Sequence, residues 1–209
     1  SFLSPLLEIL IAFQVEDYQD ERQEEAKLKV TLRAIRNEIE NNRKIYQTNV
    51  DRLSDFLAYF ELLNAKDEKG HLVLDRRQFE MMNARSPYRF QNWTVLRQLN
   101  DSTSVFDTHH DFRIDTAPET GISTSSWRAG LYEGILNRLD NNTLSELTSI
   151  YEWIEKDIGL NEREFYESVV LTDNTRIGPL IGYYNRIVAT DRVKLEMINK
   201  HYDVIVWGE

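Results

Sequence analysis

Residues 28–63, LKVTLRAIRNEIENNRKIYQTNVDRLSDFLAYFELL, decide the fold because their apolar side chains recur at alternating steps of four and three. This spacing is typical of an α-helix that packs along one seam. Since no Pro or Gly interrupts Gln14 to Lys69, we predict one helix over residues 14–64. Two series of positions seven apart form the seam: Leu28, Ile35, Asn42, Asn49, Phe56 and Leu63, and Leu32, Ile39, Tyr46, Leu53 and Phe60.

A seam of this kind needs a partner. A second copy would give a homodimeric parallel coiled coil through the Leu28–Leu63 seam, with Asn42 and Asn49 setting the register. A later helix of the same chain would instead bury the seam within one molecule. The aromatic seam residues are bulky for a two-stranded coil, which favours the intramolecular alternative.

The rest of the chain shows shorter amphipathic periods between polar loops. The predicted fold class is therefore all-α, with a long helix at each end of the chain, the two lying antiparallel, and shorter helices between them. A loop at about 100–121 is rich in Asp, Ser and Thr. The further predicted helices cover residues 75–82, 90–99, 123–135, 143–156, 165–171 and 177–202.

The segment that precedes the long helix is apolar from Phe2 to Val15 and contains one carboxylate, Glu8. These 14 residues span about 20 Å as a helix, whereas a bilayer core is about 30 Å thick. We therefore expect residues 1–15 to be the C-terminal part of a transmembrane anchor whose beginning is missing. Residues 16–209 would form a helical extracytoplasmic domain. The alternatives are a helix lying in the membrane interface and a buried helix of a soluble protein.

The segment after the apolar run is acidic. Residues 16–25 hold six carboxylates and one arginine, whereas cytoplasmic flanks of membrane helices favour Lys and Arg. This bias predicts a single-pass protein of the bacterial inner membrane with the bulk of the chain in the periplasm.

Composition excludes several classes of function. The net charge is −10, with 25 basic against 35 acidic residues, so nucleic acid is not an expected partner. The chain has no cysteine, which excludes disulfides, thiolate metal sites and cysteine nucleophiles.

Few residues have the pattern of a chemical site. The adjacent His109 and His110 would point to opposite sides of an extended loop, which favours a solvated loop over a metal site. Trp127, beside Arg128 and Tyr132, could be a ligand platform or a core residue beneath a helix cap, and the second interpretation is favoured. We predict no catalytic residue, no cofactor and no metal, and hence no enzyme.

Two stretches carry a resemblance to known proteins: LIAFQVEDYQDERQEE (10–25) with TLRAIRNEIENN (31–42), and ISTSSWRAGLYEGILNRLDNNTLSELTSIYEW (122–153). Together they resemble a large group of uncharacterised bacterial single-pass membrane-anchored proteins. The chain departs from the group at Tyr18, where Trp is common. The resemblance implies a short N-terminal transmembrane helix followed by a helical domain of unknown function, and it implies no chemistry.

The functional hypothesis is a non-catalytic, membrane-anchored interaction protein. It would be an accessory or structural subunit of a larger membrane protein complex, such as a photosynthetic or respiratory one, with contacts to membrane protein subunits and to the bilayer through residues 1–15. The alternative is a small-ligand sensor or binding module that relays through the long helix. The predicted partner-binding residues are Phe2, Leu6, Glu8, Ile9, Phe13, Tyr202 and Trp207.

Overall fold

The computed structural model describes residues 3–109, 118–156 and 177–207, with side chains from residue 13 onward except Ile177 and Pro179. Helices dominate, as the heptad pattern predicts. The helices are α1 (Leu3–Asn64), α2 (Arg76–Arg85), α3 (Pro87–Phe90), α4 (Ser125–Tyr132), α5 (Asn141–Glu155) and α6 (Ile177–Tyr202), with a 3₁₀ turn at Ile135–Arg138. The strands are β1 (His71–Asp75), β2 (Thr94–Gln98) and β3 (Thr103–Asp107).

The three strands form an antiparallel sheet in the order β1–β3–β2, so the protein is mainly α and the all-α prediction is incomplete. β2 replaces half of the helix predicted over residues 90–99, and β3 lies inside the predicted loop at 100–121. The turn between them is built by Asn100, whose side-chain oxygen accepts the Ser102 N–H at 2.9 Å. Such Asx turns close hairpins.

Several predicted helices are confirmed. Asp75 caps α2 by accepting the N–H groups of Arg77 and Gln78, and Asp140 caps α5 in the same way through Thr143. α6 has the predicted bounds. The helix predicted over 123–135 is split, because Gly134 adopts a left-handed φ of 69° that ends α4. The predicted helix at 165–171 lies outside the described residues.

The chain divides into two compact units. The first unit comprises residues 1–48, 119–171 and 189–209, and the second comprises residues 49–118 and 172–188. α1 and α6 each contribute to both.

The core of the first unit is built on the seam of α1. Asn42 is 1% exposed, and its side chain pairs with the backbone of Ser123 in both directions, at 2.7 and 3.0 Å. Arg43 lies over the Tyr202 ring and Tyr46 lies under Lys194, so α1 and α6 run antiparallel here, as predicted. The seam is therefore buried within one chain. The buried cluster contains Ile35, Ile39, Tyr46, Trp127, Leu136, Leu147, Ile150, Tyr151, Ile154, Ile198 and Ile205.

The core of the second unit lies between the end of α1, the α2–α3 segment and the sheet. Its centre is aromatic: the Phe79 and Phe106 rings stack with centroids 4.4 Å apart. Aromatic pairs of this kind stabilise beyond their buried area. The buried cluster contains Tyr59, Leu63, Leu72, Leu74, Phe90, Trp93 and Phe106.

The predicted membrane placement is wrong. Among the helices that the structure describes, none is both long enough and apolar enough to cross a membrane. α1 has the length, but its first 18 residues already contain four carboxylates, at Glu8, Glu16, Asp17 and Asp20. Each charged group in a bilayer core is costly. The prediction of a transmembrane, single-pass protein of the bacterial inner membrane with its bulk in the periplasm is corrected accordingly.

Candidate functional site

Residues 13–27 of α1 are exposed on all sides of the helix. Every side chain from Phe13 to Lys27 is exposed, whereas Ile35 and Ile39 further along the same helix are fully buried. Large apolar groups are among the exposed ones: Phe13 is 60% exposed, Tyr18 55% and Val15 49%. This part of the helix therefore presents apolar surface to solvent.

The sequence explains why the seam stops at Leu28. Of the preceding seam positions from residue 14 onward, Gln14, Glu21 and Glu25 are polar and only Tyr18 is aromatic, so this part of α1 has no continuous apolar stripe. Among the contacts described for residues 13–27, Glu24 forms an ion pair with Arg138. Within the segment, Arg22 covers the Tyr18 ring at 4.9 Å.

The residues predicted to bind partners have different surroundings. Phe13 is exposed, as above. Tyr202 and Trp207 instead pack on α1: the Tyr202 hydroxyl donates to Glu40 Oε1 at 2.5 Å, and the Arg36 guanidinium lies 5.9 Å from the Trp207 ring. The side chains of Phe2, Leu6, Glu8 and Ile9 lie outside the described residues.

A buried carboxylate, Glu38, holds the first unit together, and the sequence analysis did not single it out. Glu38 is 7% exposed. Its Oε1 accepts the Tyr151 hydroxyl at 2.7 Å and the Trp127 N–H at 3.3 Å. Its Oε2 accepts the Ser126 N–H at 2.8 Å and the hydroxyls of Ser123 and Ser125 at 2.9 and 3.0 Å. The carboxylate thus satisfies the free N–H groups at the start of α4.

These contacts determine the protonation states of Glu38 and Tyr151. Burial opposes the charge of Glu38, but the hydrogen bonds from Ser126, Tyr151, Ser123 and Ser125 outweigh it and lower its pKa below the usual 4.5. Burial and the Glu38 charge raise the pKa of Tyr151 above its usual 10. Glu38 is therefore a charged anchor with saturated oxygens rather than a group poised for proton transfer.

The proposed ligand platform at Trp127 is filled. Trp127 is 5% exposed, and its ring stacks on Tyr151 with centroids 4.7 Å apart and planes 5° apart. Tyr132 lies away from it in solvent, 95% exposed. Trp127 is thus a core residue beneath the start of α4 and not a ligand platform.

The histidines do not converge with other metal-binding groups. His109 contacts Asp107, with Nδ1 3.5 Å from Oδ2, and His110 lies outside the described residues. Over the described ranges, no group of three or more His, Asp or Glu side chains could hold a metal ion. His201 contacts Glu146, with Nδ1 2.5 Å from Oε2.

No protein-family model, curated protein or solved structure shows a significant match to this chain. The resemblance to bacterial membrane-anchored proteins therefore stays a prediction.

Proposed function

We propose that this chain is a non-catalytic interaction protein, an accessory or structural subunit of a larger assembly, which docks onto a partner protein through its apolar residues 2–15. The supporting observation is the exposure of Phe13 and Val15 at the end of a helix whose next turns are also exposed. Exposed apolar surface of this kind marks interaction sites.

Energetics support a partner. Burying one large apolar side chain is worth about 1.5–3 kcal/mol, and residues 2–15 hold nine such side chains if Pro5 and Ala12 are left out. A helical segment without tertiary packing is only marginally stable in water. Docking would stabilise both the helix and the complex, so residues 2–15 should be more stable bound to a partner than in water.

The acidic segment, residues 16–25, indicates the charge of the partner. Its six carboxylates against one arginine give it a net charge of −5. A basic surface next to the partner's apolar groove would complement it, and such complementarity mainly raises the association rate and its dependence on salt.

Site-specific photo-crosslinking in the native cell tests the proposal. A photoreactive phenylalanine analogue at position 13 should form a discrete adduct of higher mass, because Phe13 would lie in the interface. The same analogue at position 132 is the matched control, since Tyr132 is even more exposed but lies on α4. The substitution Phe13→Glu should abolish co-purification of the crosslinked partner.

The proposal fails if position 13 gives no adduct, or if positions 13 and 132 give the same pattern of adducts. An adduct of twice the chain mass would identify the partner as a second copy.

A further inference from the structure

Three polar side chains lie in a row at one end of the sheet in the second unit. Thr94 is the first residue of β2 and lies opposite Asp107, the last residue of β3. His109 follows two residues after Asp107. Its Nε2 lies 3.2 Å from the Thr94 hydroxyl, and its Nδ1 lies 3.5 Å from Asp107 Oδ2. The imidazole ring is therefore placed between a hydroxyl and a carboxylate.

The backbone of His109 holds the ring in this place. Its φ of 50° is in the left-handed region, which residues other than glycine seldom adopt. Its N–H donates to Asp107 Oδ1 at 2.8 Å, so one carboxylate contacts both the backbone and the ring of the histidine. Backbone conformations of this kind cluster at functional sites.

The carboxylate also selects the tautomer of the ring. Because Asp107 Oδ2 lies beside Nδ1, the tautomer that carries its proton on Nδ1 is favoured. Nε2 is then the acceptor of the proton on the Thr94 hydroxyl. A hydroxyl next to a base, with the base oriented by a third group, is the arrangement that converts a weak alcohol nucleophile into an effective one.

The surroundings of Thr94 favour an uncharged acyl group as the electrophile. Every residue of β2 is exposed, so a donor can approach the hydroxyl. The neighbouring Val95 and Leu96 are 60% and 49% exposed and offer apolar surface to an acyl chain. The Asp107 carboxylate would instead repel a phosphate donor, since like charges at short range oppose each other.

We propose that Thr94 is a site of covalent acylation that takes its acyl group from a thioester. Thr94 Oγ1 attacks the carbonyl carbon of the thioester, so that a C–O bond forms and the C–S bond breaks. The hydroxyl proton passes to His109 Nε2 and from there to the leaving thiolate. The product is one threonine ester per chain rather than repeated turnover. This site does not depend on the function proposed for residues 2–15.

Tryptic digestion isolates this threonine for mass spectrometry. Cleavage after Arg89 and Arg97 releases residues 90–97, FQNWTVLR, in which Thr94 is the only hydroxyl and lysine is absent. After the folded chain is incubated with the simple thioester S-acetyl-N-acetylcysteamine, this peptide should gain the mass of one acetyl group. Residues 187–192, IVATDR, are the matched control, because Thr190 is again the only hydroxyl and lysine is again absent. Thr190 lies on α6 and should stay unmodified.

Substitutions test the roles of the neighbours. His109→Gln removes the base and should slow acetylation of Thr94 about 100-fold. Asp107→Asn should also slow it, because an amide NH₂ group beside Nδ1 would move the ring proton to Nε2. Thr94→Ser keeps a hydroxyl and should still be acetylated. The midpoint of urea unfolding checks that each variant is folded.

Three results would overturn the proposal: no acetyl group on residues 90–97, acetylation of Thr190 at the same rate as Thr94, or unchanged acetylation in a folded His109→Gln variant. Release of thiol well beyond one equivalent per chain, with residues 90–97 unmodified, would also contradict it, because the acyl group would then have gone to water.

Discussion

Glu38 on α1 and Tyr151 on α5 are joined by a hydrogen bond of 2.7 Å between two buried side chains. The same carboxylate accepts the N–H groups of Ser126 and Trp127 in the first turn of α4. Three helices of the first unit therefore meet at one negative charge, and this charge replaces the capping side chain that α4 lacks.

Replacing this charge should destabilise the first unit. In Glu38→Gln, the amide group would face the N–H and hydroxyl donors that now point at a carboxylate oxygen. We expect a loss of about 1–3 kcal/mol, measured as a lower midpoint of urea unfolding. Glu25→Gln, an equal change on the exposed part of α1, is the control and should leave the midpoint unchanged. Equal midpoints for the two variants would contradict the role given to Glu38.

The contribution of Glu38 should also depend on pH. Its pKa is lowered in the folded protein from the usual 4.5, so the unfolded chain takes up a proton first as the pH falls. The stabilisation is complete above about pH 4.5 and is lost as the pH falls through the folded pKa. The difference in unfolding free energy between wild type and Glu38→Gln should be constant from about pH 7 to 5 and shrink at lower pH. A difference that grows with acidity would show that the pKa is raised.

The long helices were predictable because their signals are local. The seam from Leu28 to Leu63 repeats every seven residues, and Asp75 and Asp140 are capping residues next to the helices that they cap. The pattern at Ser123–Trp127 likewise predicted the start of α4. The side chains that bond to these helices from other elements lie far away along the chain, so a single sequence does not predict them.

Glu38 illustrates this limit. It lies next to a seam position and resembles any residue of a solvated helix face, while its partner Tyr151 is 113 residues away. The sheet was missed for a related reason. β2 is exposed along its whole length. Its adjacent Val95 and Leu96 therefore break the alternation of apolar and polar residues that marks a half-buried strand.

The close contact between α4 and α1 depends on Gly130. A Cβ at this position would lie 3.0 Å from Thr31 Cγ2 and 3.1 Å from Leu136 Cγ. Gly130→Ala should therefore destabilise the protein by about 1 kcal/mol despite the better helix propensity of alanine. Gly182→Ala, within α6 and with open space around it, should stabilise by about 0.5–1 kcal/mol. Thermal unfolding should show a lower midpoint for Gly130→Ala and a higher midpoint for Gly182→Ala. Midpoints that move in the same direction in both variants would contradict the close approach of α4 to α1.

The end of α6 should be held to α1 by one hydroxyl. Tyr202 donates to Glu40 and accepts from Arg36 Nε at 3.3 Å. Because Glu40 and Arg36 are partly solvated, Tyr202→Phe should cost only about 1 kcal/mol. It should also speed amide hydrogen exchange at residues 203–207. Tyr132→Phe, which removes a solvent-exposed hydroxyl, should change neither quantity. Unchanged exchange in Tyr202→Phe would show that the ring alone holds the segment.

The central claim is that a partner protein covers the exposed Phe13 and Val15 near the start of α1, and the absence of cysteine allows a direct test. Phe13→Cys and Tyr132→Cys each introduce a single thiol at an exposed position. In the purified chain both thiols should react rapidly with a maleimide. In a native cell extract, the thiol at position 13 should react far more slowly while that at position 132 is unaffected. Equal reaction rates at position 13 in the extract and in the purified chain would contradict the claim.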